Sequence, residues 1–179
     1  MKYINGDILE VKEGYIMQQC NCVSLAPFGL AASLEEKFPG TCPYRERTRV
    51  RNAHNLATPE TRAVPGTVAI RGTLASPVLI INIFGQYCPG YPGNAGHLAQ
   101  EAKISDTREA REKYFQEALE GLVDYFSGTE GKVKIAVPYK IGCGLAKGDW
   151  KVYEKMLENF ENEMLKAKVD LEMTVYVWN

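Results

Sequence analysis

Histidine is nearly absent from this 179-residue chain, which carries only His54 and His97, both set in glycine-, asparagine- or alanine-rich text. That scarcity argues against a histidine-built metal centre and reads both residues as surface loop positions. Paired C-x-x-C knuckles are missing as well, so no structural zinc site is expected. The five cysteines, Cys20, Cys22, Cys42, Cys88 and Cys143, are odd in number and irregularly spaced, which argues against a disulfide framework. Buried, reduced thiols are expected instead. An excess of one charge is lacking too, with 21 Lys and Arg against 22 Asp and Glu. Bulk electrostatics therefore ask for neither nucleic acid nor an anionic membrane. No apolar run reaches membrane-spanning length, and the start lacks the charged-then-apolar pattern of a secretory leader. Neither the Walker G-x-x-x-x-G-K-[ST] loop nor the G-x-G-x-x-G fingerprint occurs. Without internal repeats or linkers, residues 1–179 are expected to form a single intracellular domain, cytoplasmic or nuclear.

What is present alternates strand and helix signals, which implies α/β layering. Strands are expected at Lys2 to Ile4, Tyr15 to Asn21, Thr67 to Arg71, Val78 to Ile83, Lys132 to Pro138 and Glu172 to Val177. Val78 to Ile83 is apolar apart from Asn82, as suits a strand buried on both faces. Helices are expected at Leu30 to Phe38, Thr107 to Phe126 and Asp149 to Ala167, with a shorter one around Tyr44 to Ala53. Tyr114, Phe115, Ala118, Leu119, Leu122 and Phe126 share one helical face, as do Val152, Met156, Leu157, Phe160, Met164 and Leu165. Both stripes are read as core.

The run Val137 to Trp150 carries the strongest functional signal. A β-branched strand ends at Pro138, glycines follow at Gly142, Gly144 and Gly148, and Asp149 opens an amphipathic segment. Strand, glycine loop and helix is a layout that binds anions, because glycines let backbone N–H groups approach closely. An ordinary tight turn explains the same glycines equally well. The stretch Gln86 to Asp106 is long and rich in Gly, Pro and Tyr, and long loops in compact domains are often functional. It leaves the carboxyl end of a central strand, where open α/β sheets bind ligands. Tyr87 and Tyr91 are therefore expected to flank a planar or sugar ligand.

Four motifs in order, Gly6-Asp7-Ile8, Cys20-Asn21-Cys22 before a loop and helix, Ile81-Asn82-Ile83-Phe84-Gly85-Gln86, and P-x-x-I-G-C-G-L-x-x-x-D-W from Pro138, resemble the macrodomain family over nearly the whole chain. The look is nearest to its fungal ADP-ribose 1''-phosphate phosphatase and terminal ADP-ribose glycohydrolase branch. The resemblance implies a three-layer α/β/α fold around a mixed, mostly parallel sheet of about six strands. It also implies an ADP-ribose site at the carboxyl ends of the central strands. Asp7 would read adenine with help from Ile8. Asn21 would touch the distal ribose, a role suited to an amide that both donates and accepts. Gly29, Leu30 and Ala31 would offer N–H groups at a helix start, with Ile141, Gly142, Cys143, Gly144 and Leu145 as the opposing nest. Phe84, Gly85 and Gln86 would complete the rim.

Where hydrolytic branches carry a histidine, a lysine and an aspartate, this chain has Gln18, Gln86 and Ala146. The loop Ser24 to Gly29 also lacks the aspartate of the common de-ADP-ribosylating branch. The expected activity is binding of ADP-ribose, free or attached to a macromolecule, with no cofactor or metal. The alternative is a hydrolase of ADP-ribose 1''-phosphate or of an ADP-ribosyl bond, with Asp149 as its weak acid/base candidate and a default role as helix cap.

Overall fold

The computed structural model describes residues 1–178. Six strands pair into one sheet: β1 (Lys2–Asn5), β2 (Gly14–Asn21), β3 (Val68–Gly72), β4 (Val78–Gln86), β5 (Lys132–Pro138) and β6 (Asp170–Val177). Their order is β1-β6-β5-β2-β4-β3. Every pairing is parallel except that of β3 with β4, which puts β3 on an edge as the one reversed strand. Four α-helices join them: α1 (Leu30–Lys37), α2 (Gly96–Ala102), α3 (Arg108–Phe126) and α4 (Trp150–Lys166).

Side-chain alternation along the strands assigns the layers. Met17, Ile81, Ile83, Ile135 and Val137 point to one face and pack with Phe115, Leu119 and Leu122 of α3 and Leu157 and Phe160 of α4. Ile16, Ile80 and Ala136 point to the other, against Leu34 and Phe38 at α1. Cys20, Cys22 and Phe84 extend that second face toward Ala99 of α2. Full burial of each such apolar side chain is worth about 1.5–3 kcal/mol, so the central strands hold both helical layers. The arrangement is three-layered, α/β/α, around a mostly parallel sheet.

The polar interruption of β4 is fully used. Asn82 accepts from Gln18 Nε2 at 2.7 Å and donates to the carbonyls of Thr41 and Ala69. A buried amide so satisfied costs little and ties neighbouring segments to the sheet.

Several expectations need correction. β4 runs on to Gln86, because Thr67 and Gly66 keep pairing with Phe84 beyond the end of β3. No α-helix forms over Tyr44 to Ala53. A single 3-10 turn covers Pro43–Glu46, and a tight turn with Asn52 at φ 63° follows, closed by Val50 N–H donating to Leu56 O. Inside the long Gly- and Pro-rich stretch lies α2, which carries the exposed His97. On α4, Val152 and Leu165 are exposed and Tyr153 takes the inward place.

Candidate functional site

Parallel pairing brings the carboxyl ends of β1, β6, β5, β2 and β4 to a common edge of the sheet. A cleft of about 430 Å³ opens there, within the range of small-molecule sites. Three loops wall it, one after β2, one after β4 and one after β5.

The loop after β2 is shaped by side-chain amides. Asn21 Oδ1 accepts from Val23 and Ser24 N–H at 3.0 and 2.8 Å, and Asn55 Oδ1 accepts from Leu25 and Ala26 at 2.7 and 2.9 Å. From beneath, Arg47 donates to the carbonyls of Asn21 and Ser24 while its guanidinium lies 4.4 Å above the Tyr44 ring. That geometry suits a planar, multiply donating group. Gly29, at φ 56° and lining the cleft, turns the chain into α1. The N–H groups of Leu30 and Ala31, in the first turn, then find no acceptor among the described residues.

The loop after β5 is the opposing nest. It is braced internally, by Cys143 N–H donating to Lys140 O and Gly148 N–H donating to Gly142 O. The N–H groups of Gly142, Gly144, Leu145 and Ala146 have no acceptor among the described residues, and all four residues line the cleft. Two sets of unspent backbone donors on one cleft make a concavity with the chemistry to hold an anion without a cluster of basic side chains. Lys140 is the one cationic side chain on the lining, and no carboxylate, histidine or cysteine joins it.

Amides make up much of the cleft's polar surface. Gln19 Nε2 donates to Gln86 Oε1 at 2.8 Å, and Gln86 Nε2 donates to Cys88 O at 2.8 Å. Gln19 Oε1 is enclosed without a partner. Gly85 and Gly142 both press on it, since a Cβ at either would lie 2.7 Å away.

The structure thus brings Asn21, Gly29, Leu30, Ala31, Gln86, Ile141, Gly142, Gly144 and Leu145 onto one lining. Phe84, by contrast, is buried with Cys20, Cys22 and Tyr44 behind the cleft. Gly85 packs on Gln19 from the sheet side. Cys143 turns its Sγ to Ile141 O, and burial pushes its thiol up to about 11. Asp149 is exposed, caps α4 by accepting from Lys151 N–H at 3.0 Å, and lies outside the lining, as expected of a cap rather than an acid/base group. Asp7 and Ile8 follow β1 at the same sheet edge but lie outside the lining; Asp7 Oδ1 accepts from Leu9 N–H at 2.9 Å and Ile8 is buried. Tyr87 and Tyr91 do not flank the cleft: Tyr87 is in the core and Tyr91 is exposed away from the lining.

Sequence reading passed over Gln19, Tyr44, Tyr139 and Lys140, which all line the cleft. The adjacent amides Gln18-Gln19 inside an otherwise buried strand were the available signal.

No family model matches the chain. A curated protein of the yeast Scheffersomyces stipitis, named ADP-ribose 1''-phosphate phosphatase, is 26% identical over 196 residues, covering 99% of each chain. Among solved structures, the macrodomain of Thermus aquaticus DarG covers 99% of this chain and 97% of its own at 19% identity and TM-score 0.55. An Oceanobacillus iheyensis macrodomain variant aligns at TM-score 0.62 and 17% identity, covering 99% of this chain and 83% of its own. A Trypanosoma brucei macrodomain, solved in complex with ADP-ribose, aligns at TM-score 0.60 and 9% identity over 98% of this chain and 62% of its own.

Proposed function

We propose that this chain, whose fold is that of the macrodomains, is a macrodomain that binds ADP-ribose, or a derivative of it, across the carboxyl edge of its sheet. The observation that carries the reading is the pair of unspent backbone N–H sets, Leu30 with Ala31 and Gly142 with Gly144, Leu145 and Ala146, on one cleft without a carboxylate. Such donors suit a pyrophosphate. The sheet edge continues beyond the cleft to Asp7, which lies outside the lining. Asp7 follows β1 and Gln86 ends β4, four strand spacings apart in the sheet order, or about 19 Å at the usual inter-strand distance. Adenine at Asp7 and the distal ribose beside Asn21 and Gln86 would span that edge. The ADP-ribose complex of the trypanosomal neighbour supports this ligand.

Hydrolysis of ADP-ribose 1''-phosphate is the second reading, favoured by the name and full-length match of the yeast relative. With no carboxylate, histidine or cysteine on the lining, such chemistry would run through a held water and backbone donors. Binding accounts for the residues present without that addition. The proposed ligand includes an ADP-ribosyl group still attached to a macromolecule, and the reduced thiols suit an intracellular setting.

Calorimetric titration with ADP-ribose, with AMP and ribose 5-phosphate as controls, tests the reading. The expected order is ADP-ribose tightest, AMP weaker and ribose 5-phosphate weakest. Equal affinity for AMP and ADP-ribose would remove the distal site. Phosphate release from ADP-ribose 1''-phosphate in the same sample would replace the binding reading with the hydrolytic one.

A further inference from the structure

We propose that the buried pair Arg111–Asp106 is a positioning device for the wall of the cleft after β4, setting the amide of Gln86 for the distal part of the ligand. The ligand in this statement rests on the ADP-ribose reading above; the positioning role rests on geometry alone.

Arg111 and Asp106 are 2% and 7% exposed, in the most enclosed ion pair of the molecule's described residues. The contact is bidentate, with Nε to Oδ1 at 3.0 Å and Nη2 to Oδ2 at 2.7 Å. Their other contacts converge on one short segment. Arg111 donates to the carbonyls of Gly90 at 2.6 Å, Cys88 at 3.2 Å and Tyr91 at 3.4 Å. Asp106 accepts from the N–H groups of Tyr87 at 2.9 Å and Cys88 at 3.2 Å. Residues 87–91 have no strand or helix of their own, yet Pro89 and Gly90 line the cleft. Their backbone is held by the pair instead.

A buried ion pair is a poor way to gain stability, because desolvation offsets most of its attraction. No apolar pair, however, can satisfy three carbonyls and two N–H groups at once. What the pair supplies is therefore a defined backbone path. Arg111 sits in the first turn of α3, whose apolar face is locked in the core, so the wall is referred to a rigid element. The effect reaches the ligand side through Cys88 O, which receives Arg111 Nη2 and also Gln86 Nε2 at 2.8 Å. Fixing that carbonyl fixes which way the Gln86 amide points. Gln86 Oε1 is then turned to Gln19.

Arg111→Lys and Asp106→Asn test this, because each keeps the approximate size and removes the bidentate match. In the unliganded variants, the Gln86 side-chain amide signals in ¹⁵N–¹H spectra should move or broaden. ADP-ribose affinity should fall about tenfold, the worth of one good polar contact. Binding of AMP, which stops short of the wall after β4, should hold. Unmoved Gln86 signals in a folded variant would overturn the positioning role whatever the ligand. Equal losses for AMP and ADP-ribose, or failure of both variants to fold, would make the pair a stability element and overturn it too. If the unaltered protein bound no ADP-ribose, the ligand reading would fall while the amide signals still decided the positioning role.

Discussion

Gly142 packs against the ring of Tyr153, so close that a Cβ added at Gly142 would lie 2.5 Å from Cε1 of that ring. Tyr153 is 1% exposed and belongs to the core between α3 and α4. The glycine loop of the cleft is therefore seated on the interior of the molecule, and its shape follows from packing as much as from turn chemistry.

The two glycines of that loop should part company on mutation. Gly142 has φ 73° and no room for a side chain, whereas a Cβ at Gly144 meets nothing within 4 Å. Gly142→Ala should destabilise the fold by about 2–4 kcal/mol from overpacking and left-handed backbone strain. Gly144→Ala should leave stability within about 0.5 kcal/mol while weakening ADP-ribose, because its methyl group enters the space where an anion meets the unspent N–H groups. Thermal melts paired with calorimetry check both. A Gly144→Ala protein that binds as before would place the pyrophosphate elsewhere.

Asp7 is a cap in the structure and an adenine reader in the proposed function. Oδ1 caps the 3-10 turn Ile8–Glu10 through Leu9 N–H, so Asp7→Ala would confound binding with a lost cap. Asp7→Asn separates them. Asparagine caps as well as aspartate, so the melting temperature should stay within about 2 °C. Its Nδ2, however, presents donors to the adenine amino group where a carboxylate oxygen would accept. AMP and ADP-ribose affinity should fall together, by about tenfold. Affinity for both at the unaltered level would strike Asp7 from the site.

Much of the architecture was legible because it rests on local pattern. The β-branched run ending at Pro138, the apolar stripe of α3 and the capping residue Asp149 placed β5, α3 and α4 within a residue or so. Long-range packing decided what was misread. Val152 and Tyr153 are neighbours in sequence, and only the loop glycines pressed on the tyrosine ring show why Tyr153 turns inward. Tyr87 looked like a ligand platform because its loop is polar and glycine-rich. Its burial depends on Arg62, which donates to its hydroxyl, and on Asp106, nineteen residues on. The helix α2 is too short to leave a periodic signal and exists through the burial of Ala99. At the cleft, glycine positions were readable from the motifs, but the Gln19–Gln86 contact spans two strands and has no local signature.

The cysteines make stability depend on pH in one direction. Burial pushes the thiol of Cys20 up to about 12 and those of Cys88 and Cys143 up to about 11, and it raises Cys22 in the same sense. An unfolded thiol titrates near 8.5. Below that value both states keep the proton and these groups leave stability unchanged. Above it the unfolded chain ionises first, so the stabilisation is lost as pH rises from about 8.5 toward the folded values. The melting temperature should therefore be level from about pH 6.5 to 8 and fall steeply by about pH 10.5. Cys20→Ala, which removes one of these buried thiols, should give a shallower fall over the same interval while starting lower, because it leaves a small cavity. Parallel curves for the two proteins would assign the alkaline loss to other groups, with tyrosines and lysines first in line. The same shift keeps the thiolate scarce at neutral pH, and nucleophilic reactivity follows the thiolate. Alkylation of the native protein at pH 7.5 should accordingly be slow at all five cysteines, with half-buried Cys143 modified first. Fast modification of Cys20 or Cys22 would mean that their side of the sheet opens far more readily than its packing against Tyr44, Phe84 and Ala99 implies.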